Sequence, residues 1–205
     1  MRAGRRKAAT GAPPSLIGIH LNMVMFHPSE EERAQADADE QRMLDDARRY
    51  EQHYSGYYKL QSTRPQSAAF SLADSPVGLA AWIYALFQDV SDSAGDVESV
   101  FALDALIDDI MLYWLPNTGA SSARLYWEAM RSMREGGMPS NPMTTPAGIS
   151  MFPGEQLRLS KRWAERRFAK LVHFNALPQG GHFAALEQPA AFTEEVRACF
   201  RFARR

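Results

Sequence analysis

Apolar positions along the chain change period several times, and each change marks an element. Residues 15–26, SLIGIHLNMVMF, are mostly apolar (Leu16, Ile17, Ile19, Leu21) and bounded by Pro13-Pro14 and Pro28, which predicts a buried strand at 16–22. The next segment, HPSEEERAQADADEQRMLDDARRYEQHYSGYY, opens with Ser29 and three glutamates, a capping residue with acids where the helix dipole favours them. It predicts one long charged helix with Met43, Leu44, Ala47 and Tyr50 on its apolar side, stopping near Gly56. From 65 to about 135 the period stays helical, with breaks at Pro65, Pro76, Gly95 and Pro116. Within it, 74–90 (DSPVGLAAWIYALFQDV) and 102–115 (ALDALIDDIMLYWL) are so uniformly apolar that both are expected to be buried nearly all round. Beyond the Pro/Gly-rich stretch 136–148, PAGISMF (146–152) and KLVHFNAL (170–177) predict strands, with an Arg-rich helical segment (158–169) between them. Thr193-Glu194-Glu195 then opens a terminal helix to about Phe202.

Strands alternating with helices at this spacing imply an α/β fold with a parallel sheet. The segment between the first two strands is too long for a connection and is expected to be a helical lid. The expected division is a disordered basic leader (1–15), a core strand (16–27), a helical lid (28–143) and a C-terminal part of the core (144–205).

Composition narrows the function classes. With 23 basic and 24 acidic residues the net charge is −1, so no global basic field draws the chain to nucleic acid. Cys199 is the only cysteine, which excludes an internal disulfide and, with no Cys/His metal spacing, suits a reducing compartment. The chain has no apolar run long enough to span a bilayer, so a cytoplasmic protein is expected.

The chemistry centres on GGHFAALEQP. Its His182 follows the strand at 170–177 through a Pro178–Gly181 loop, and Glu155 of SMFPGEQ follows the preceding strand. Both therefore belong at the carboxyl edge of a parallel sheet, where sites form. An acid there can orient an imidazole and stabilise its charged form. Taken from the residues alone, His182 is equally open to a structural reading. The stretch GASSA (119–123) gives a weak serine-elbow likeness, with Ser121, Glu155 and His182 in hydrolase order, but only one strand fits between Ser121 and Glu155. Asp108-Asp109 lack elbow glycines and are expected on a solvated helix face.

Taken in order, LIGIHLNM, STRPQ, LADSPVGLAAWI, MLYWLPNTGASSARLYWE, PAGISMFPGE, RWAERRFAKLVHFNALPQGGHFAALEQP and FTEEVRACF resemble the epoxide hydrolases of the α/β-hydrolase fold, in the branch of the microsomal and juvenile-hormone enzymes. The resemblance runs from about Leu16 to Arg204. It implies a partial α/β-hydrolase core, the last strands of the sheet with a large helical lid inserted. It also implies hydrolysis of a small apolar epoxide to a diol through an alkyl-enzyme ester, without cofactor or metal. By position, His182 falls on the water-activating base and Glu155 on the acid that orients it. Tyr126 of ARLYWE and Tyr57 of SGYYKLQ fall on the tyrosines that hydrogen-bond the epoxide oxygen, with Tyr58 one residue away as an alternative. The aspartate nucleophile and oxyanion loop would precede residue 16, and MRAGRRKAATGAPPS holds neither. The expectations are therefore an enzyme by family that is inactive alone, or a non-catalytic lid-bearing remnant that binds apolar ligands or a partner chain. An exposed edge of the core would also favour self-association.

Overall fold

The computed structural model describes residues 13, 15–136 and 142–204. Most of the expected leader, and the middle of the Pro/Gly-rich stretch, lie outside them.

Strands β1 (Ile19–Leu21), β2 (Ala147–Met151) and β3 (Leu171–Ala176) form a parallel sheet in the order β1-β2-β3. Leu21 pairs with Ile149 and Ile149 with Phe174, so the two predicted C-terminal strands hold to within a residue at each end. The first strand is shorter than the 16–22 expected. Leu16 and Ile17 are exposed, and among the described residues β1 has a ladder partner on one side only. β2 is buried throughout, as suits the middle strand. Val24, Ile149, Leu159 and Trp163 pack together on the sheet.

Between β1 and β2 the chain runs through α1 (Glu30–Ala34), α2 (Ala38–Arg49), a π-helical turn (Tyr50–Tyr54), α3 (Gly56–Thr63), α4 (Pro65–Asp74), α5 (Pro76–Val90), α6 (Leu103–Trp114) and α7 (Gly119–Gly136). The single long helix expected from Ser29 is broken. Asp37 caps α2 and exchanges bonds with Glu40, a second capping box that ends α1 early. Gly56 opens α3 instead of terminating a helix. The expectation that 74–90 and 102–115 are buried all round is also corrected. α5 buries one stripe, Leu79, Ile83, Phe87 and Val90, while Val77 lies 76% exposed. α6 buries only Leu106, with Leu103, Ile107, Leu112 and the following Leu115 facing outward. The buried stripes meet in a second core of Leu72, Leu79, Ile83, Phe87, Phe101 and Leu106.

The chain then adds α8 (Lys161–Arg167), α9 (Ala184–Glu187) and α10 (Pro189–Cys199), which starts before the expected Thr193 because Pro189 fits the first helical turn. Two polar clusters bind these layers together. Buried Glu40 accepts from Ser160 Oγ at 2.6 Å and pairs with Arg162, tying α2 to α8. On the other side of the sheet Glu195 of α10 accepts from Ser150 Oγ (2.7 Å) and Asn175 Nδ2 (2.8 Å) and bonds His173 Nε2 (2.6 Å). Ser150 Oγ in turn meets His20 Nε2 at 2.9 Å, so one carboxylate collects groups from all three strands. Gly148 permits this docking, since a Cβ there would come 2.3 Å from Cys199 Sγ.

Candidate active site

The segments leaving the carboxyl ends of β1, β2 and β3 carry Asn22, Glu155 and His182, and these converge. Gly154 N–H donates to Gly180 O at 2.9 Å, lacing the two loops together, and both glycines are required. Gly180 has φ +107°, which favours glycine, and a Cβ on Gly154 would meet Gly180 O at 3.0 Å.

His182 Nδ1 lies 2.7 Å from Glu155 Oε2, and the other carboxylate oxygen accepts from Leu157 N–H at 2.8 Å. Glu155 is buried, whereas the imidazole is 36% exposed. The bond to Glu155 raises the His182 pKa above its ordinary value. Burial opposes this, and the charges of Glu155 and Glu187 reinforce it. With Nδ1 committed to the acid, the neutral ring is fixed in the tautomer whose Nε2 can accept a proton, and Nε2 has no protein partner among the described residues. The arrangement can therefore take a proton from a water at Nε2 while Glu155 stabilises the resulting imidazolium.

Tyr57 and Tyr126 come together with ring centroids 6.0 Å apart, edge to face, and Tyr58 makes a similar contact with Tyr126. The two hydroxyls have different partners. Tyr58 Oη is bonded to Met130 Sδ, whereas Tyr57 Oη meets Tyr50 Oη at 2.8 Å. Burial pushes the Tyr126 phenol up to about 12. Tyr57 is raised further, by burial and then by its bond to Tyr50, with Glu155 contributing through its charge. Both phenols stay protonated at neutral pH and can donate.

Tyr50 was read from the sequence only as an apolar contact of a helix. It sits at the start of the π-helical turn, which aims its hydroxyl at Tyr57, and its spacing gave no signal of this. Glu187 was also missed. Its carboxylate accepts from Gly181 N (2.8 Å), Phe183 N (2.9 Å) and Asp92 N (2.9 Å), contacts with backbone that no residue pattern reveals. Ser121 is exposed on α7 and bonds its own helix at Thr118 O, so it forms no elbow. Asp108 is exposed as expected, but Asp109 is half-buried, and burial raises its carboxyl. Both line a cavity of about 700 Å³ along α6 that includes none of His182, Glu155, Tyr57 or Tyr126. Among the described residues no cluster of His, Cys, Asp and Glu could hold a metal ion, and no helix is long and apolar enough to cross a membrane.

A parallel sheet with a helical insertion and an acid–histidine pair at its carboxyl edge defines a partial α/β-hydrolase. Comparison with known proteins adds what the chain is similar to. The chain is 48% identical, over 92% of its length and 42% of the relative's, to a Stigmatella aurantiaca protein named by inference as an epoxide hydrolase. It is 37% identical to epoxide hydrolase 1 of Sus scrofa, over 70% of this chain and 33% of that one. The Aspergillus niger epoxide hydrolase structure superposes with TM-score 0.74 at 25% identity, covering 91% of this chain and 46% of that chain. The juvenile hormone epoxide hydrolase of Bombyx mori superposes with TM-score 0.78 at 24% identity, covering 92% and 50%. No family model matches. The chain is thus similar, over most of its own length, to epoxide hydrolases of the α/β-hydrolase fold, and it spans 42% and 33% of the length of the two curated relatives.

Proposed function

We propose that this chain carries the hydrolytic half of an epoxide-opening site. In this reading His182 activates the water that cleaves an alkyl-enzyme ester, Glu155 orients it, and Tyr57 and Tyr126 donate to the oxygen of a small apolar epoxide. The observation that carries it is the 2.7 Å bond from His182 Nδ1 to a buried carboxylate, with Nε2 unpaired among the described residues. The bond of Tyr58 to Met130 favours Tyr57 as the second donor. Opening an epoxide develops negative charge on its oxygen, and two neutral phenols are suited to meet it. The aspartate that the family chemistry calls for has no counterpart in residues 16–204, so sequence outside this match supplies the alkylating step. The helices between β1 and β2 (28–143) act as the lid over the site, and the single cysteine favours the cytoplasm.

A chimera tests this directly. Residues 16–204 would replace the corresponding region of the Stigmatella aurantiaca relative, with styrene oxide as probe. Turnover is expected in the chimera, and His182→Gln should leave an alkylated protein that does not turn over. A folded chimera whose steady-state rate is indifferent to that substitution would remove His182 from the mechanism.

The exposure of Leu103, Ile107, Leu112 and Leu115 on and just after α6 favours a second reading, a remnant that docks a partner chain there.

A further inference from the structure

Each backbone N–H from Gly180 to Phe183 has an acceptor. Gly180 N–H donates to Asp92 Oδ2 (2.8 Å), Gly181 N–H to Glu187 Oε2 (2.8 Å), His182 N–H to Val90 O (3.1 Å) and Phe183 N–H to Glu187 Oε1 (2.9 Å). Asn22 Nδ2 holds the carbonyl of His182 at 3.0 Å. Val90 is the last residue of α5, and Asp92 follows it after Ser91. Asp92 also returns the contact, giving its own N–H to Glu187 Oε2 at 2.9 Å. Two carboxylates therefore interlock, one on each side of the junction, and each receives one backbone N–H from the other side.

A carboxylate at the end of a one-turn helix can do no more than satisfy the N–H groups just before that helix. Glu187 differs because one of its donors, Asp92 N–H, lies 95 residues away in sequence. Two further contacts cross the same junction. Phe183 leaves the sheet region altogether and stacks on Phe87 of the second core, with ring centroids 4.2 Å apart, and it also meets Phe101. Gly181 is packed so closely that a Cβ would lie 2.7 Å from Asp92 N and 3.0 Å from both Glu187 oxygens. The histidine thus stands between a residue clamped by Glu187 and an aromatic ring anchored in the helical insertion.

We propose that Glu187 and Asp92 are positioning residues that fasten the loop carrying His182 to the end of α5, so that docking of the helical insertion sets where the imidazole stands. The proposal rests on the reading of His182 as the base. The insertion then has a second role besides covering the substrate: it completes the support of a group that belongs to the other layer. Four N–H donors fixed by three acceptor groups leave the loop little freedom to swing the ring away from Glu155.

The test uses the whole chain and the Cε1–H resonance of His182, identified by its loss in His182→Ala. The charged groups that act on this ring are Glu155 from the loop after β2 and Glu187 from α9; Asp92 of the loop after α5 bonds the backbone two residues before it, and Asn22 after β1 is neutral. Glu187→Gln keeps the size of the side chain but can no longer accept through both of its terminal atoms. It should lower the His182 titration midpoint and speed exchange of the Gly181 and Phe183 amides about tenfold relative to those of β3. Asp92→Asn attacks the clasp from the other side, should speed exchange at Gly180, and serves if the first variant does not fold. A folded variant that melts earlier but leaves the His182 midpoint and these amides unchanged would reduce Glu187 to ordinary packing and overturn the proposal. Failure of the underlying reading has a separate signature: Glu155→Gln would leave the His182 midpoint where it was.

Discussion

Glu195 offers the sharpest quantitative test of how the sheet holds the candidate site. Its carboxylate bonds Ser150 Oγ, His173 Nε2 and Asn175 Nδ2, and so joins the two strands that lead to Glu155 and His182. Removing it by Glu195→Ala leaves these partners in different situations. Asn175 is exposed and regains water, so its share is small. Ser150 is fully buried and keeps only His20, while half-buried His173 loses a charge-assisted bond. At ~1 kcal/mol for a neutral bond and ~1.5–3 for one to a charged group, the expected loss is about 2–4 kcal/mol. That is a large share of the ~5–15 kcal/mol available to a domain. Urea denaturation followed by circular dichroism at pH 7 would measure it, with Glu195→Gln falling between the two. Burial works to raise the Glu195 pKa, but the bonds from His173, Ser150 and Asn175 outweigh it and hold the group below its ordinary value. An acid depressed in the folded state contributes stability above its unfolded pKa and loses it as pH falls through the folded value. The gap between parent and Glu195→Gln should therefore close on acidification. A loss under ~0.5 kcal/mol for Glu195→Ala at pH 7, or a gap that does not narrow in acid, would refute this account of the cluster.

Three further outcomes are expected. His182 has a raised pKa, so the stability it contributes is complete below its unfolded value and disappears as pH rises through the folded one. Glu155→Gln should flatten that alkaline-side loss in melting curves, and an unaltered profile would count against the pair. Gly148→Ala should destabilise by about 1–3 kcal/mol through its clash with Cys199 Sγ, and Cys199→Ala in the same chain should restore most of the loss; no rescue would place the strain elsewhere. The purified chain should sediment with a concentration dependence, since among the described residues β1 is paired on one edge only and Leu16 and Ile17 lie beside it, whereas a compact monomer at every loading would disprove association through that edge.

What could be read from the sequence followed the reach of each signal. The strands around Ile149 and Phe174 were visible because bounded apolar runs leave few alternatives, and the order of elements then placed Glu155 and His182 at one edge. The break before α2 was equally visible in principle: Asp37 and Glu40 are a capping pair, masked by the stronger signal at Ser29. The misreading of α5 and α6 has a different origin. Their residues are apolar on nearly every face, but apolarity says nothing of what covers a face, and Leu112 and Leu115 lie open. Tyr50 and Glu187 could not be read at all, because a π-helical turn sets the first and backbone N–H groups recognise the second.

The separation of β1 from β2 bears on how the molecule assembles. Leu21 and Ile149 are ladder partners across about 130 residues of intervening chain, and closing such a loop from a flexible state costs ~4 kcal/mol in entropy. β2 and β3 join over a far shorter span, and the intervening helices own a core built from neighbours such as Leu72, Leu79 and Phe87. Local contacts form first where topology allows. The helices should therefore condense early and draw the two ends of their segment together, leaving β1 as the last strand to add. Kinetically, the insertion is the scaffold on which the sheet is completed, and a slow final phase reported by β1 would be its signature.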